Sequence, residues 1–115
     1  MPVPDLTHIE FLIFYMLHTG VEVSGREIRD FLASNGHRRT LPTFYRKMGQ
    51  LEHRGLVKTS YEQEVVKGYT VKRAIYVITG EGQKLFGEYS AWYQHWLSQL
   101  SNKNKGGLPP LTAPN

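Results

Sequence analysis

Apolar residues recur at helical spacing in four stretches of the chain, and between the third and fourth the period changes to that of β-strands. In the first stretch, residues 7–19, the apolar residues fall on two sides of the predicted helix. One side carries Ile9, Leu12, Ile13, Met16 and Leu17, and the other carries Phe11, Phe14 and Tyr15. A helix that is apolar nearly all round needs cover on two faces, so a second surface is expected to pack on it.

Capping signals place the next two helices. Ser24 and Glu27 form a capping box at the start of a second helix, which ends at Gly36. A third helix, residues 41–54, has Thr40 as its N-cap and a proline in its first turn. Its buried stripe is predicted to be Leu41, Phe44 or Tyr45, Met48 and Leu51.

Runs rich in Val, Ile, Thr and Tyr at residues 56–61 and 71–79 predict two strands, joined by a long tip at 62–70 that includes a turn at Lys67 and Gly68. Thr79 then caps a fourth helix that runs to residue 100, and the Gly-, Pro- and Asn-rich residues 101–115 are expected to be a disordered tail. Three helices, a hairpin and a helix are the order of a winged helix-turn-helix. The predicted fold is mainly α with a small β-hairpin: a DNA-binding domain at 1–79 and a long C-terminal helix at 80–100.

Positive charge is concentrated around the third helix. Residues 36–58 hold six basic residues and one acid, a net charge of +5, whereas the whole 115-residue chain carries +4. A basic helix on an otherwise balanced small domain is the electrostatic footprint of a protein that binds a polyanion, most often DNA. A solvated charged face is the plainer alternative, and it is the expected one for Arg54 and Lys58.

Base reading suits three side chains that share one side of this helix at spacings i, i+3 and i+7: Thr43, Arg46 and Gln50. Arg can pair bidentately with guanine and Gln with adenine. The residues that precede the helix favour phosphate, since basic side chains and free N–H groups meet there. The full set of candidate DNA-binding residues is Arg26, Arg38, Arg39, Thr40, Thr43, Arg46, Lys47, Gln50, Lys67, Lys72 and Arg73.

Gly49 is an unusual residue for the middle of the third helix, because glycine costs about 1 kcal/mol there relative to alanine. Close approach to another backbone would explain it, and so would simple helix packing.

The fourth helix is too apolar for a helix that trails off a small domain, which marks it as a partner surface. The outer face of the first helix is its natural cover. Candidate dimerisation residues are Phe11, Phe14, Tyr15, Phe86, Tyr89, Trp92, Tyr93, Trp96, Leu97 and Leu100. Two alternatives remain open: packing within one chain, and a flat aromatic effector stacked on Trp92 or Trp96.

Composition argues against several classes of function. The chain has no cysteine, which excludes disulfides and thiol chemistry and fits a reducing cytoplasm. Its five histidines are scattered, and neither a phosphate loop nor a nucleophile motif is present, so no metal, cofactor or enzymatic activity is expected. The longest apolar stretch, residues 9–17, is far too short to span a membrane, so we expect a cytoplasmic protein without a membrane partner.

Two motifs resemble those of PadR-like transcriptional regulators. Residues 43–56, TFYRKMGQLEHRGL, are similar to that family's recognition-helix pattern T-L-Y-x-x-L-x-x-L-E-x-x-G-L. Residues 73–82, RAIYVITGEG, match its second wing strand and exit, R-x-x-Y-x-L-T-x-x-G. The resemblance departs at two positions, where Arg46 replaces a common proline and Arg26 a common tyrosine.

The resemblance implies a homodimer joined by the C-terminal helix, with helix 41–54 in the major groove and wing 56–79 on the DNA backbone. We therefore expect a sequence-specific DNA-binding transcriptional regulator that represses by occluding a pseudo-palindromic site. Two other functions remain open. The chain could be a winged-helix interaction module that docks a partner through helix 80–100, or a DNA-binding protein of plasmid, phage or replication control.

Overall fold

Four helices and a three-stranded antiparallel sheet make up the part of the chain that the computed structural model describes, residues 6–104, with side chains for residues 6–100. In chain order the elements are α1 (His8–Leu17), β1 (Val23–Ser24), α2 (Gly25–Ser34), α3 (Leu41–His53), β2 (Val57–Val66), β3 (Tyr69–Ile78) and α4 (Gly80–Asn104). The predicted fold class, a mainly α winged helix-turn-helix with a long C-terminal helix, is confirmed. Helix α4 continues four residues beyond its predicted end, and the rest of the predicted tail, 105–115, lies outside the described residues.

The sheet has one strand more than the predicted hairpin. Its order is β1-β3-β2, and β1 pairs Val23 with Tyr76 and Ser24 with Ile75. The segment expected to be a plain link before α2 therefore forms an edge strand of the sheet. Ser24 also caps α2 as predicted, because its Oγ accepts the Glu27 N–H at 3.1 Å. The glutamate completes the contact differently, since its carboxylate accepts the Ser24 hydroxyl rather than the Ser24 N–H.

The predicted long tip of the wing is wrong. Strands β2 and β3 stay paired for ten residues each, out to Val66 opposite Tyr69. The turn consists of Lys67 and Gly68 alone, with φ of 52° and 82°. Two successive residues with positive φ are the signature of a type I′ turn, whose twist matches that of the flanking strands. The wing is therefore a long ribbon with a tight end.

The core lies where α1, α2, α3 and the base of the sheet meet. Its fully buried side chains include Ile13, Phe14, Leu17, Ile28, Leu32, Phe44, Met48, Leu51 and Val57. Of the predicted stripe of α3, Phe44 rather than Tyr45 is the buried ring. Leu41 was expected inside but is 47% exposed, because it lies in the first turn, before α3 reaches the core.

Helix α4 is fixed at its start by close contacts. Thr79 caps it as predicted, since its Oγ1 accepts the Gly82 N–H at 3.0 Å, and the same hydroxyl donates to the Gly55 carbonyl at 2.6 Å. A Cβ at Gly82 would overlap the Leu56 carbonyl oxygen and lie 2.7 Å from Ile78 Cγ1. Only glycine lets α4 approach Leu56, the residue before β2, this closely.

Candidate nucleic-acid interface

Helix α3 begins at the predicted cap and turns its predicted reading side away from the core. Thr40 Oγ1 accepts the Thr43 N–H at 3.4 Å and donates to Thr43 Oγ1 at 3.0 Å. Arg46 and Gln50 are exposed and Thr43 is half-buried. The three side chains therefore lie along one accessible side of the helix, although Thr43 shares its hydroxyl with the cap.

Five of the predicted DNA-binding residues surround one surface depression of about 340 Å³. The depression lies between α1, α2 and α3, and its floor includes the apolar residues Ile9, Ile13, Leu32 and Phe44. Its predicted site residues are Arg39, Thr43, Arg46, Lys47 and Gln50. The fold thus brings one arginine from before α3 next to the side of α3 that was expected to face DNA.

The other predicted phosphate contacts are spread along the approach to α3. Arg38 and Arg39 are exposed, and Arg39 Nη1 donates to the Arg38 carbonyl at 3.1 Å. Arg26 is exposed in the first turn of α2. Arg38, Arg39 and Thr40 therefore form one continuous accessible segment, whereas Arg26 lies apart from it on another helix.

Two cations of α3 are held by a buried carboxylate that sequence reasoning missed. Glu10, on α1, is only 4% exposed, and its Oε2 accepts Lys47 Nζ at 3.3 Å and Arg54 Nη1 at 3.2 Å. Its Oε1 accepts the Thr7 N–H at 3.0 Å, while Thr7 Oγ1 accepts the Glu10 N–H, which completes a capping box. Lys47, predicted to bind DNA, and Arg54, predicted to be simply solvated, therefore both serve to join α3 to α1.

The charge of Glu10 is stabilised by these same partners. Burial by itself would raise the pKa of the carboxyl group. The Thr7 N–H and the neighbouring Lys47 and Arg54 cations outweigh that effect, so the pKa of Glu10 is lowered from 4.5. Glu10 is thus ionised at neutral pH.

The two faces of the wing differ in charge. Directly paired residues of a ladder share a face, so Gln63 and Lys72 lie on one face and Glu62 and Arg73 on the other. The face with Lys72 carries no carboxylate along β2 and β3, and it borders α3. Arg73, on the opposite face, is 3.1 Å from Glu62 Oε2 and 4.0 Å from Glu64 Oε2.

The three predicted wing cations are therefore not equivalent. Lys67 is exposed at the turn and Lys72 points to the side of α3, whereas the charge of Arg73 is matched by carboxylates on the far face. Strand parity could have separated Lys72 from Arg73 once the turn was located at residues 67–68.

The predicted dimerisation residues divide into three groups. Phe14 was expected on the outer side of α1 but is fully buried in the core, so it is not available to a partner. Phe11, Phe86, Tyr89 and Trp92 are half-buried, and Phe11 packs against Phe86 and Tyr89 with ring centroids 5.6 and 5.3 Å apart. The exposed residues are Tyr15, Tyr93, Trp96, Leu97 and Leu100.

The first helix is thus covered on two faces, as its sequence predicts, and its own chain supplies part of the second cover. Helix α4 has 25 residues and is about 37 Å long, whereas α1 has 10 residues and is about 15 Å long. The second half of α4 therefore extends past the helix on which its first half packs. The exposed side chains of Trp96, Leu97 and Leu100 lie on this overhanging half.

Within residues 6–104, no group of three or more His, Asp or Glu side chains is placed to hold a metal ion. None of the helices in this part of the chain combines the length and hydropathy needed to cross a lipid bilayer.

Solved structures of transcription regulators share this fold. A PadR family transcription regulator from Clostridium difficile R20291 superposes with a TM-score of 0.64 at 23% identity, over 84% of this chain and 97% of that one. Bacillus subtilis PadR in complex with operator DNA gives a TM-score of 0.55 at 13% identity, over 90% of this chain and 80% of that one. NadR in complex with 4-hydroxyphenylacetate gives a TM-score of 0.58 at 17% identity, over 89% of this chain and 67% of that one.

No protein-family model matches the sequence, and no curated protein is similar to it. The likeness therefore rests on three-dimensional structure, and it extends over the winged helix and the C-terminal helix together. The fold implied by the resemblance in the recognition-helix and wing motifs is confirmed: the chain has the winged helix-turn-helix fold of these PadR-family structures.

Proposed function

We propose that the protein is a DNA-binding transcription regulator that inserts α3 into the major groove. One observation carries the proposal: Arg46 and Gln50 are exposed on α3, and α3 borders the wing face that has no carboxylate along β2 and β3. A duplex seated on α3 would meet Lys72 on the wing rather than Glu62 or Glu64. A wing face without carboxylates favours contact with a phosphate backbone.

The proposed contacts follow from this arrangement. Thr43, Arg46 and Gln50 read base edges, while Arg38, Arg39 and Thr40 bind phosphate at the start of α3. Lys67 and Lys72 bind the backbone from the wing, and Arg26 binds it from α2. Lys47 forms an ion pair with Glu10, so its main role is to hold α3 in place against α1.

The test begins with selection of binding sites from random duplexes, followed by fluorescence anisotropy on the selected site and a scrambled duplex over a salt series. Arg46→Ala should weaken binding to the selected site by about tenfold or more, and binding to the scrambled duplex by much less. Lys84→Ala, which removes an exposed cation from α4, is the matched control and should leave both affinities unchanged. Absence of binding to every duplex even at low salt would refute the proposal and favour the protein-interaction module.

We propose further that the regulator is a homodimer joined by the overhanging half of α4. Trp96 and Leu97 are each 48% exposed there, and large apolar side chains clustered on a monomer surface usually mark an interface. Light scattering should give twice the mass of one chain, and Trp96→Ser should halve it. Tyr69→Ser removes an aromatic ring that is even more exposed, at the end of the wing, and should leave the dimer intact. Equal dissociation by both variants, or by neither, would contradict an α4 interface.

Repression is the proposed output, because a dimer on a pseudo-palindrome covers two half-sites about one helical turn apart and excludes polymerase from them. In a purified transcription assay, a promoter that overlaps the selected site should lose activity as the protein is added. The same titration with Arg46→Ala should leave the promoter active. Activation by the wild-type protein would show that occlusion is not its mode of action.

A small aromatic effector is proposed to bind where α1 and α4 meet. A depression of about 330 Å³ lies there, lined by His8, Phe11, Tyr89, Ser90, Tyr93 and Gln94. This volume is at the lower end of the range of small-molecule sites. The solved NadR structure, which shares the fold, holds 4-hydroxyphenylacetate. That compound is the first probe, and saturable quenching of tryptophan fluorescence that Tyr93→Ala abolishes would support the site.

A further inference from the structure

A furrow of about 360 Å³ separates α3 from the wing, and sequence reasoning assigned it no role. Helix α3 contributes Tyr45, Gly49 and Glu52 to its walls. The wing contributes Thr59, Tyr61, Lys72, Ala74 and Tyr76. Of these residues only Lys72 was among the predicted DNA contacts.

Gly49 is the feature of this furrow that needs an explanation. It lies in the middle of α3 and is exposed, and a Cβ at this position would meet nothing within 4 Å. Packing inside the protein therefore does not require a glycine here, which removes one of the two explanations considered for it. Glycine still weakens the helix relative to alanine. A close neighbour that would explain it therefore has to come from outside the described residues.

The proposed docking on DNA supplies such a neighbour. If α3 lies in the major groove and the wing reaches the next groove along, one sugar–phosphate strand must pass between them, because a strand separates adjacent grooves. The furrow lies between α3 and the wing, where that strand would pass. Gly49 lies on its α3 wall.

The walls of the furrow supply hydrogen-bond donors for phosphate. Tyr45 is 45% and Tyr61 67% exposed, and Lys72 adds one positive charge. Burial, together with Tyr45, Tyr61 and Glu52, raises the pKa of Tyr76 to about 12, so its hydroxyl keeps its proton. Hydroxyl groups of tyrosine are common phosphate donors in DNA complexes.

Glu52 is the one group among these lining residues that would repel a phosphate. It lies seven residues after Tyr45 and three after Gly49, about 10 and 4.5 Å along the helix. A strand that passes Gly49 therefore has the Glu52 carboxylate close by, and this charge opposes its binding.

We propose that this furrow seats one sugar–phosphate strand of the bound duplex, with Gly49 giving the clearance and Tyr45, Tyr61 and Lys72 giving the contacts. The inference rests on the proposed DNA binding and specifies which part of the DNA lies where. Its contacts are to backbone and not to bases, so they contribute equally on any duplex sequence.

The decisive comparison is between Gly49→Ala and Gly87→Ala. Both glycines are exposed in helix interiors, and a methyl group added at either would have nothing within 4 Å. Gly87 lies about 100° round α4 from Phe86, off the aromatic side. Both substitutions should therefore raise the thermal midpoint. Only Gly49→Ala should weaken DNA binding, by about tenfold, and equally on selected and scrambled duplexes.

Two further variants test the contacts themselves. Tyr61→Phe should weaken binding by about tenfold without changing the salt slope, because it removes a donor but no charge. Glu52→Gln should tighten binding, since it removes the repulsive charge from the furrow. If Gly49→Ala binds as the wild type does, the furrow is not the seat of the strand, while DNA binding itself stands. If the wild type binds no duplex, both proposals fall.

Discussion

Glu10→Gln tests whether a buried carboxylate, rather than packing alone, holds the proposed recognition helix in place. The substitution keeps the size of the side chain and its place in the capping box, because glutamine serves there as glutamate does. It removes the negative charge that lies 3.3 Å from Lys47 Nζ and 3.2 Å from Arg54 Nη1. The variant therefore isolates the two ion pairs from the N-cap.

The magnitude follows from the burial of the three groups. Hydrogen bonds to charged groups contribute about 1.5–3 kcal/mol each when both partners are buried. Here the Lys47 and Arg54 side chains are 31% and 36% exposed, so water already weakens both ion pairs. We therefore expect the free energy of unfolding to fall by about 1–2 kcal/mol, which lowers the midpoint by roughly 5–10 °C in a domain of this size.

The pH dependence of this loss is the sharper part of the prediction. The pKa of Glu10 is lowered in the folded protein, in which burial opposes ionisation but Thr7, Lys47 and Arg54 favour it more strongly. A group of this kind stabilises the fold above its unfolded pKa, 4.5, and loses that contribution as the pH falls through the lower folded value. The difference in stability between wild type and Glu10→Gln should be full at pH 7 and shrink steadily as the pH falls below 4.5.

Urea unfolding followed by tryptophan fluorescence at pH 7 and at several values below 4.5 measures this difference. Glu88→Gln makes the same change of charge at an exposed position of α4 and should alter stability by less than about 0.5 kcal/mol. In anisotropy, Glu10→Gln should bind scrambled DNA with a salt slope steeper by about 1, because the charge of Lys47 is no longer matched by Glu10 and becomes available to a phosphate. A stability difference that is the same at low pH as at pH 7 would refute the ion-pair reasoning.

Two further predictions concern the start of α4 and the wing. Gly82→Ala should destabilise the fold by about 1–3 kcal/mol, because the added methyl group overlaps the Leu56 carbonyl oxygen, whereas Gly87→Ala in the same helix should stabilise it by up to about 1 kcal/mol. Thermal unfolding of the two variants tests this, and midpoint shifts of the same sign would contradict the close packing at Gly82. Lys72→Ala should reduce the salt slope of DNA binding by about 1, while Arg73→Ala should not, because the Arg73 guanidinium is already paired with Glu62. Equal changes in slope would contradict the placement of Lys72 and Arg73 on opposite faces of the wing.

Local signals predicted α3 well because its boundaries are chemical. Thr40 caps the helix, a proline occupies the first turn, and Gly55 follows the last turn with φ of 77°. Each of these preferences acts within a few residues, so no knowledge of the rest of the chain is needed. The exposed side of α3 could be predicted from equally local information, because the buried residues of the helix recur at helical spacing.

The sheet was harder to predict because pairing depends on distant residues. Strand β1 has two residues, too few for any alternation, and it exists because Val23 lies opposite Tyr76. The outer half of the wing has no buried face, so its sequence carries no alternation of apolar and polar residues. Its pairing continues because Lys67 adopts a positive φ, which is uncommon for a residue other than glycine.

The candidate site shows the same limit. Thr7 and Glu10 stand at the spacing of a capping box, so the cap of α1 was readable from the sequence. The ion pairs of Glu10 were not, because Lys47 and Arg54 follow it by 37 and 44 residues. Phe14 was misplaced for a related reason: the buried stripe of α1 is Glu10, Ile13, Phe14 and Leu17, and a search for apolar residues alone does not find a stripe that begins at a glutamate.

Helix α1 joins α3, which carries the proposed DNA contacts, to α4, which carries the proposed dimer interface. Two adjacent residues divide the work: Glu10 binds the cations of α3, and Phe11, about 100° further round the helix, packs against Phe86 and Tyr89 of α4. In a dimer held by α4, the position of each recognition helix relative to the two-fold axis therefore depends on α1 being rigid. We infer that the Glu10 ion pairs help to fix the register of α3 against α1. The separation of the half-sites in the proposed dimer would then depend on Glu10 and Phe11 of α1 as well as on the residues proposed to contact DNA.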